Sequence, residues 1–232
     1  MGRFIIAGVG PGMGCSIARE FKSHGEAIAL ISRSESGKNL AKELNAYYMN
    51  ADLKVFRDAE DTLSQLKEKL GGIDGVIHCA GGFFSTIGIS ELSPEKFLEA
   101  LNNNALTFFN VAKVASRLMK ENGGSITAIS AARNVYYSSN PGYAAGKGAI
   151  VYMVRSLARK LAPSNIRVNA VAPGFIRKDD CNGRRSDMRL LSEERYPSAF
   201  IGKIVYELAT NPLITGQNIE ADGGVSSIIP EN

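Results

Sequence analysis

The chain has 232 residues, of which 44% are hydrophobic and 22% charged, a composition that is typical of a folded globular protein and excludes a disordered one. This length predicts one domain over residues 1–232. The 27 basic and 23 acidic residues give a net charge of +4 without a dense basic block, so we expect no nucleic-acid partner. Because no run of about 18 apolar residues occurs, we expect no membrane-spanning helix and no membrane partner.

The cysteine content indicates a cellular compartment. The chain has three cysteines, an odd number at wide spacing, and two histidines. The cysteines are Cys15, Cys79 and Cys181. This pattern contains no C-x-x-C pair and predicts a reducing cytoplasm and no metal site. The apolar run at residues 4–9 leads into glycines and not into a signal-peptide cleavage site, which also favours a cytoplasmic protein.

Short β-branched runs alternate with longer amphipathic stretches along the chain. The predicted strands cover residues 3–9, 27–32, 46–51, 75–79, 124–130, 166–172 and 218–221. The predicted helices cover residues 15–23, 37–44, 59–70, 94–121, 143–161 and 199–209. Several strands are too apolar to have a face in water, which predicts an α/β fold with a doubly wound, mostly parallel, seven-stranded Rossmann-type sheet and helices on both faces. Residues 175–197 have no clear period and predict an irregular loop that covers a substrate.

A glycine-rich turn follows the first predicted strand. Gly8, Gly12 and Gly14 open the first helix, with Met13 between the last two. A phosphate approaches a helix N-terminus where side chains are absent and backbone N–H groups point outward. The turn therefore predicts dinucleotide binding. Its G-x-x-x-G-x-G spacing differs from the common G-x-G-x-x-G, and a purely structural turn is the alternative.

The end of the second strand indicates which dinucleotide is bound. An NAD site usually places an acidic residue there for the ribose hydroxyls. Here Ser32 takes that place and Arg33 follows it, so that a guanidinium could hold a 2′-phosphate. We therefore expect NADP(H) to be preferred over NAD(H). The alternative is that Arg33 is only a solvated loop residue.

A tyrosine and a lysine share one face of a predicted helix. Tyr143 and Lys147 are four residues apart, which places them on neighbouring turns. An ammonium beside a phenol favours the phenolate and brings the group closer to acid/base work at neutral pH. Taken alone, the pair also fits a partly buried tyrosine with an extended lysine.

Several motifs occur in a familiar order from the first strand to the last. They are the glycine turn, Cys79-Ala80-Gly81, Asn104, the Tyr143 and Lys147 pair, residues 167–174, and Thr215-Gly216 followed by Asp222-Gly223-Gly224. In this order and spacing, the chain resembles the single-domain branch of the short-chain dehydrogenase/reductase family.

The resemblance implies a reaction and three catalytic roles. A hydride passes between nicotinamide C4 and a carbonyl or carbinol carbon, and Tyr143 exchanges the proton on the substrate oxygen. Lys147 matches the residue that holds the nicotinamide ribose and lowers the tyrosine pKa. Asn104 matches the asparagine that sustains a water relay to the lysine.

The resemblance also implies cofactor contacts from residues at or after the strand ends. Besides the glycine turn, Ser32, Arg33, Tyr143 and Lys147, these residues are Asp52, Leu53, Ala80, Gly81, Pro173, Gly174 and Ile176. The first two match the pair that flanks the adenine. The Pro-Gly turn would lead the backbone past the nicotinamide, and Ile176 would bond the carboxamide.

One family residue has no clear counterpart here. The family usually carries a serine after the fifth strand that donates a hydrogen bond to the substrate oxygen. Alignment of the strand puts Ala131 at that place, whereas Ser130 has the family's usual separation from Tyr143. Ser130 can serve if the strand end is bulged, and it stands as a fourth catalytic candidate.

Together these features predict an NADP-dependent carbonyl reductase or alcohol dehydrogenase that acts on a small-molecule substrate. The alternatives are a 3-oxoacyl thioester (acyl carrier protein) reductase and, from another class, a dinucleotide-binding regulator with impaired catalysis. An enoyl reductase fits less well, since that branch usually has wider Tyr–Lys spacing. Relatives commonly pair through the two long helices, so we expect a homotetramer or homodimer.

Overall fold

The computed structural model describes residues 1–82, 84–177, 189–191 and 195–228. Its strands are β1 (Arg3–Ala7), β2 (Ala27–Ser32), β3 (Tyr47–Asn50), β4 (Gly75–His78), β5 (Gly124–Ile129), β6 (Ile166–Pro173), β7 (Ile176–Arg177), β8 (Tyr196–Pro197) and β9 (Asn218–Ala221). Seven of them form one sheet in the order β3-β2-β1-β4-β5-β6-β9, and every neighbouring pair is parallel. The predicted seven-stranded Rossmann-type sheet is confirmed.

Helices cover both faces of this sheet. They are α1 (Met13–Ser23), α2 (Glu35–Glu43), α3 (Phe56–Leu70), α4 (Pro94–Leu101), α5 (Thr107–Leu118), α6 (Arg133–Ser138), α7 (Pro141–Leu161) and α8 (Ala199–Thr210). One apolar core lies between the sheet and α3, α5 and α7, and a second lies between the sheet and α1, α2 and α8. Adjacent strand residues such as Ile5 and Ile6 enter opposite cores and are both fully buried. Both faces of the central strands are therefore dry, which explains their nearly continuous apolar sequence, whereas the edge strands β3 and β9 are partly exposed.

The single long helix predicted over residues 94–121 is wrong in two respects. It is interrupted at Asn102–Leu106 by a π-helical turn, in which the Thr107 N–H donates to the carbonyl of Asn102, five residues earlier. It also ends at Leu118, because the chain turns into β5 through Gly123, whose φ is 72°. The π turn adds one residue to the helical path and changes which side chain faces inward.

The loop predicted over residues 175–197 is not irregular throughout. β7 and β8 pair at its two ends, which ties Ile176 to Tyr196. Residues 178–188 and 192–194 of this loop lie outside the described residues. Sequence reasoning also missed α6, since six residues are too few to show a helical period.

The strand order reverses direction at β1. β1 lies between β2 and β4, so successive crossovers leave a crevice at the carboxyl ends of β1 and β4, where ligands bind in such sheets. Gly8 follows β1 and Ala80 follows β4, and a Cβ atom on Gly8 would lie 2.2 Å from the Ala80 nitrogen. Only a glycine permits this approach. In the described parts of the chain, no helix is long and apolar enough to cross a membrane.

Candidate active site

The glycine turn gives a bare backbone surface at the start of α1. Gly8 and Gly12 have φ values of 95° and 87°, which other residues rarely adopt. A Cβ atom on Gly14 would lie 2.9 Å from the Cα atom of Val9, so this helix start also requires glycine. The Met13 side chain packs on the core beneath α1 and leaves the turn uncovered. An anion can therefore approach the first turn of α1 closely, as a dinucleotide phosphate requires.

A cavity of about 250 Å³ lies beside this turn. Its walls come from the glycine turn and from the ends of β2, β3 and β4. Among its lining residues are seven of the predicted cofactor contacts, namely Gly8, Ser32, Arg33, Asp52, Leu53, Ala80 and Gly81. Residues from four separate strand ends thus share one cavity, which fits the adenosine half of a dinucleotide.

The rim of the cavity after β2 consists of hydroxyl groups and one guanidinium. The Ser34 N–H donates to Ser32 Oγ at 2.9 Å, and the two hydroxyl groups lie 3.0 Å apart. Tyr48 donates from its hydroxyl to the carbonyls of Ser32 and Ser34, both at 3.2 Å. Arg33 between them is exposed. The turn is therefore fixed by its backbone, while the arginine side chain is open to a ligand.

Buried side chains that the sequence did not indicate support the wall after β3. The Asn110 amide donates to the carbonyl of Leu53 at 2.9 Å and to that of Lys54 at 3.1 Å. Asp52 accepts the N–H of Lys54 at 3.1 Å. Asn110 lies on α5 and is 3% exposed, so it reaches this turn across the core. It was missed because 56 residues separate it from Lys54.

Asn104 is the buried residue of the π turn that contacts the chain after β4, while its neighbour Asn103 lines the cavity. Its Nδ2 donates to the carbonyls of Ala100 at 2.7 Å and Gly82 at 3.0 Å, and the residue is fully buried. A Cβ atom on Gly81 would lie 2.5 Å from Asn104 Oδ1 and 3.2 Å from the Nζ of Lys147. The structure thus brings Gly81, Asn104 and Lys147 together at the end of β4.

Tyr143 and Lys147 lie on the first turns of α7. Pro141 begins the helix, and the Asn140 side chain caps it by accepting the Tyr143 N–H at 2.9 Å. The Lys147 Nζ lies 5.8 Å from the centre of the Tyr143 ring and donates to the carbonyl of Ile129 at 2.8 Å. Lys147 is 4% exposed, and this burial lowers its pKa to about 8.

The pKa of Tyr143 moves in the direction opposite to the expected one. Burial, and secondly the neighbouring Tyr136, raise this pKa to about 12. The expected lowering by Lys147 is not seen, because removal of the phenol from water is the largest cause and it raises the pKa. At neutral pH Tyr143 is therefore a protonated phenol, which is the form that can give a proton to a carbonyl oxygen.

The hydroxyl of Ser130 is engaged in structural hydrogen bonds. It lies 2.6 Å from Asn218 Oδ1 and 3.1 Å from the carbonyl oxygen of Val171, and the residue is 2% exposed. Both acceptors belong to the neighbouring strands β6 and β9. Ala131 follows, also 2% exposed, and carries no hydroxyl.

The remaining predicted contacts lie where β6 leaves the sheet. β6 ends at Pro173, and the N–H of Gly174 donates to the carbonyl of Ala221 at 3.1 Å. Ile176 lies in β7 and is partly buried. These residues are not among those that line the cavity at the glycine turn.

An aromatic side chain forms a wall near Tyr143. Phe84 packs edge-on against the Tyr143 ring at 5.6 Å and against Phe175 at 5.9 Å, measured between ring centres. His78 lies behind the site, fully buried, with Nε2 3.0 Å from Thr107 Oγ1. Burial lowers the pKa of His78 to about 3 and keeps it neutral. The histidine is therefore a packed core residue.

This architecture defines a class of protein. A parallel sheet with a glycine turn at its reversal point, followed by a buried tyrosine and lysine, is the arrangement of a nicotinamide-dependent oxidoreductase. Comparisons with known proteins agree. A family model described as "Enoyl-(Acyl carrier protein) reductase" matches residues 8–226.

Individual relatives cover most of the chain. A 3alpha-hydroxysteroid dehydrogenase of Mediterraneibacter gnavus is 33% identical over 75% of this chain and 74% of its own length. A 3-oxoacyl-[acyl-carrier-protein] reductase of Mus musculus is 30% identical over 95% of this chain and 96% of its own length. Among solved structures, a short-chain type dehydrogenase/reductase from Mycobacterium marinum superposes with a TM-score of 0.86 at 25% identity, covering 99% of this chain and 96% of that one.

The chain belongs to the short-chain dehydrogenase/reductase family. It is an NAD(P)-dependent dehydrogenase or reductase that acts on a small-molecule substrate. The resemblance seen in the sequence is confirmed.

Proposed function

We propose that the protein is an NADP-dependent carbonyl reductase or alcohol dehydrogenase in which Tyr143 is the acid/base. The observation that carries this proposal is that Gly81, at the cavity, lies so close to Asn104 and Lys147 that a Cβ atom on it would be 2.5 Å from Asn104 Oδ1 and 3.2 Å from Lys147 Nζ. Lys147 in turn lies one helical turn from Tyr143, whose phenol is protonated at neutral pH. A cofactor site and a proton donor therefore meet at one place.

The residues divide the work by their chemistry. The bound nicotinamide supplies or accepts the hydride. Tyr143 gives its proton to the substrate oxygen in reduction and takes one back in oxidation. Lys147 holds a positive charge beside this phenol below pH 8, given its pKa of about 8. Asn104, with its amide fixed on two carbonyls, would position water next to the lysine.

The test of this chemistry is turnover by a variant that keeps the ring. Wild-type protein should oxidise NADPH in the presence of a simple 3-oxo ester such as ethyl acetoacetate. Tyr143→Phe should lower kcat by about 10²–10⁴-fold, because the proton donor is lost, with a far smaller change in the affinity for NADPH. Tyr137→Phe is the matched control, since that tyrosine is 65% exposed. Full activity in Tyr143→Phe would reject the proposed role.

The NADP preference rests on Arg33 and on the absence of a carboxylate at Ser32. A 2′-phosphate would accept charge-assisted hydrogen bonds from the exposed guanidinium at the cavity rim. Fluorescence titration should show tighter binding of NADPH than of NADH. Arg33→Ala should weaken NADPH binding by about 10-fold or more and leave NADH binding unchanged. Arg57→Ala, in an exposed arginine on α3, is the control. Tight binding of NADH, together with NADPH binding that is unchanged in Arg33→Ala, would overturn the NADP preference.

A 3-oxoacyl thioester is the second candidate substrate. It is favoured by 3-oxoacyl-[acyl-carrier-protein] reductases from mouse, rat, human and cattle, which align over 95–97% of this chain. Comparison of kcat/KM for acetoacetyl-coenzyme A and for ethyl acetoacetate separates the two proposals. An enoyl thioester is a less suitable substrate, because Tyr143 and Lys147 are closer together in the sequence than the corresponding pair in enoyl reductases usually is.

The regulator alternative makes a separate prediction. A dinucleotide-binding protein without turnover would bind NADPH tightly and reduce none of these carbonyls. This alternative is favoured by the Ser130 hydroxyl, which is engaged with Asn218 Oδ1. Buried Asn104 and Lys147 count against it, because burial of a lysine costs free energy that a mere binding domain has no reason to retain.

We further propose that residues 1–232 act as one cytoplasmic dinucleotide-binding domain that assembles as a homotetramer or homodimer. Large apolar side chains are exposed on the long helices, namely Leu98, Leu106, Phe109 and Tyr152. Such side chains are suited to a helix-to-helix interface. Sedimentation should give a dimer or tetramer, and a clean monomer would reject the assembly.

A further inference from the structure

We propose that the phenol of Tyr136 donates the second hydrogen bond to the substrate oxygen, in place of the serine hydroxyl that this chain lacks at Ala131. This inference rests on the proposed carbonyl reduction. It concerns the one position at which the chain departs from its family's reacting groups.

No serine hydroxyl remains available at the end of β5. The Ser130 hydroxyl points to Asn218 and Val171, at 2.6 and 3.1 Å. In an extended segment, adjacent side chains face opposite sides. The side chain on the side opposite to Ser130 is that of Ala131, which is only a methyl group. A developing negative charge on a substrate oxygen would therefore meet Tyr143 and no second donor from this strand.

Tyr136 places a hydroxyl beside this strand end. Its phenol oxygen is buried and has no hydrogen-bond partner among the described residues, although a buried hydroxyl normally has one. The backbone N–H of Ala131 approaches this oxygen without completing a hydrogen bond. The phenol thus lies next to the residue that replaces the serine, with its proton uncommitted within the described structure.

The helix that carries Tyr136 is held in place. Arg133 forms an ion pair with Glu220 of β9 at 3.4 Å, and the Asn134 N–H donates to Ser226 Oγ at 3.4 Å. The backbone N–H of Tyr136 donates to the carbonyl of Ala132 at 3.1 Å. α6 therefore presents its tyrosine from a fixed backbone, and the uncommitted hydroxyl is not the result of a loose segment.

Tyr136 and Tyr143 lie on consecutive helices, α6 and α7, which pack against each other. Tyr136 is the second cause, after burial, that raises the pKa of Tyr143. Burial raises the pKa of Tyr136 to about 12, which keeps it a protonated donor over the working pH range. An unused donor beside the proton donor is the arrangement that an oxyanion requires.

Tyr143 and Tyr136 have different roles in the reduction step. During reduction the hydride adds to the carbonyl carbon, the C=O π electrons move to oxygen, and Tyr143 transfers its proton to that oxygen. Tyr136 donates a hydrogen bond throughout and keeps its proton. Its contribution is stabilisation of the charge that develops on oxygen.

The experiment compares Tyr136→Phe with Tyr137→Phe in the assay with NADPH and ethyl acetoacetate. Tyr136→Phe should lower kcat by about 10²-fold, the loss expected for one such donor, with unchanged NADPH affinity and thermal unfolding. Tyr137→Phe, its exposed neighbour on the same helix, should match the wild type. A purely structural tyrosine would alter unfolding and not kcat alone.

A rescue variant isolates the catalytic role. Ala131→Ser introduced into Tyr136→Phe should restore kcat by about 10-fold or more, because it returns a hydroxyl to the family's position. Full kcat in Tyr136→Phe overturns the inference, and a loss confined to Ser130→Ala would assign the role to Ser130. If Tyr143→Phe retains wild-type turnover, or the wild type has none while still binding NADPH, the proposed function itself fails and this inference fails with it.

Discussion

The two ends of the crevice are constructed from different parts of the polypeptide. At the glycine turn, contacts are set by backbone atoms, as where Gly8 lies against Ala80 with no room for a Cβ atom. At the Tyr143 end, buried side chains from distant helices converge, and Lys147 and Asn104 are held there by hydrogen bonds to the carbonyls of Ile129 and Gly82. The first end should therefore be sensitive to added atoms, and the second to removed functional groups.

The largest effect is expected from an added methyl group at the glycine turn. Gly8→Ala must accommodate a Cβ atom 2.2 Å from a backbone nitrogen while φ is 95°, which should cost about 3–5 kcal/mol of unfolding free energy and abolish NADPH binding. Urea unfolding and fluorescence titration measure the two losses.

The matched control for Gly8→Ala is Gly25→Ala. Gly25 has a similar φ of 79°, but no atom lies within 4 Å of its Cβ position. This variant should lose only about 1 kcal/mol, the cost of the strained backbone alone. Equal losses in the two variants would show that close approach to Ala80 does not govern this end of the crevice.

The next largest effect concerns the free energy of unfolding at acid pH, which depends on the buried His78 in β4. The folded protein keeps His78 neutral until about pH 3, whereas an unfolded histidine takes up a proton near pH 6.5. Between these values the unfolded state binds one more proton, so stability falls as the pH falls, by about 1.4 kcal/mol per pH unit. At pH 4.5 this contribution amounts to about 3 kcal/mol.

His78→Asn should remove this contribution. The variant's free energy of unfolding should fall less steeply than that of the wild type between pH 6.5 and pH 4.5, as followed by urea titrations at each pH. His24→Asn is the control, because His24 is exposed at 44% of its side chain. Parallel pH curves for the wild type and His78→Asn would show that the histidine does become charged inside the fold.

The smallest effect should come from Asn110, which supports the cavity wall after β3. Asn110→Ala leaves the carbonyls of Leu53 and Lys54 without their amide donor and should cost about 1–3 kcal/mol of unfolding free energy. NADPH affinity should fall a few-fold, and kcat should stay the same. A loss of kcat at saturating NADPH would show that the two ends are coupled and not independent.

The glycine-turn end of the crevice was easier to predict from the sequence than the Tyr143 end, for a physical reason. Gly8, Ser32 and Arg33 could be placed together at strand ends from the sequence, because a turn after a strand depends on the few residues within it, and they do line one cavity. The orientation of Ser130 could not, because it depends on Asn218, 88 residues away. Asn104 could be located by its motif, but its π turn has no periodicity in the sequence that would predict it.

The π turn at residues 102–106 is equivalent to one residue inserted into an otherwise regular helix. Deletion of Asn103 would restore regular i→i+4 hydrogen bonding, and it would also rotate the preceding side chains by about 100° relative to α5. Asn104 could then no longer donate both to the carbonyl of Ala100 on α4, at 2.7 Å, and to that of Gly82, at 3.0 Å. The π turn is therefore a change of helical register, and this irregular backbone is what orients the Asn104 amide towards the crevice.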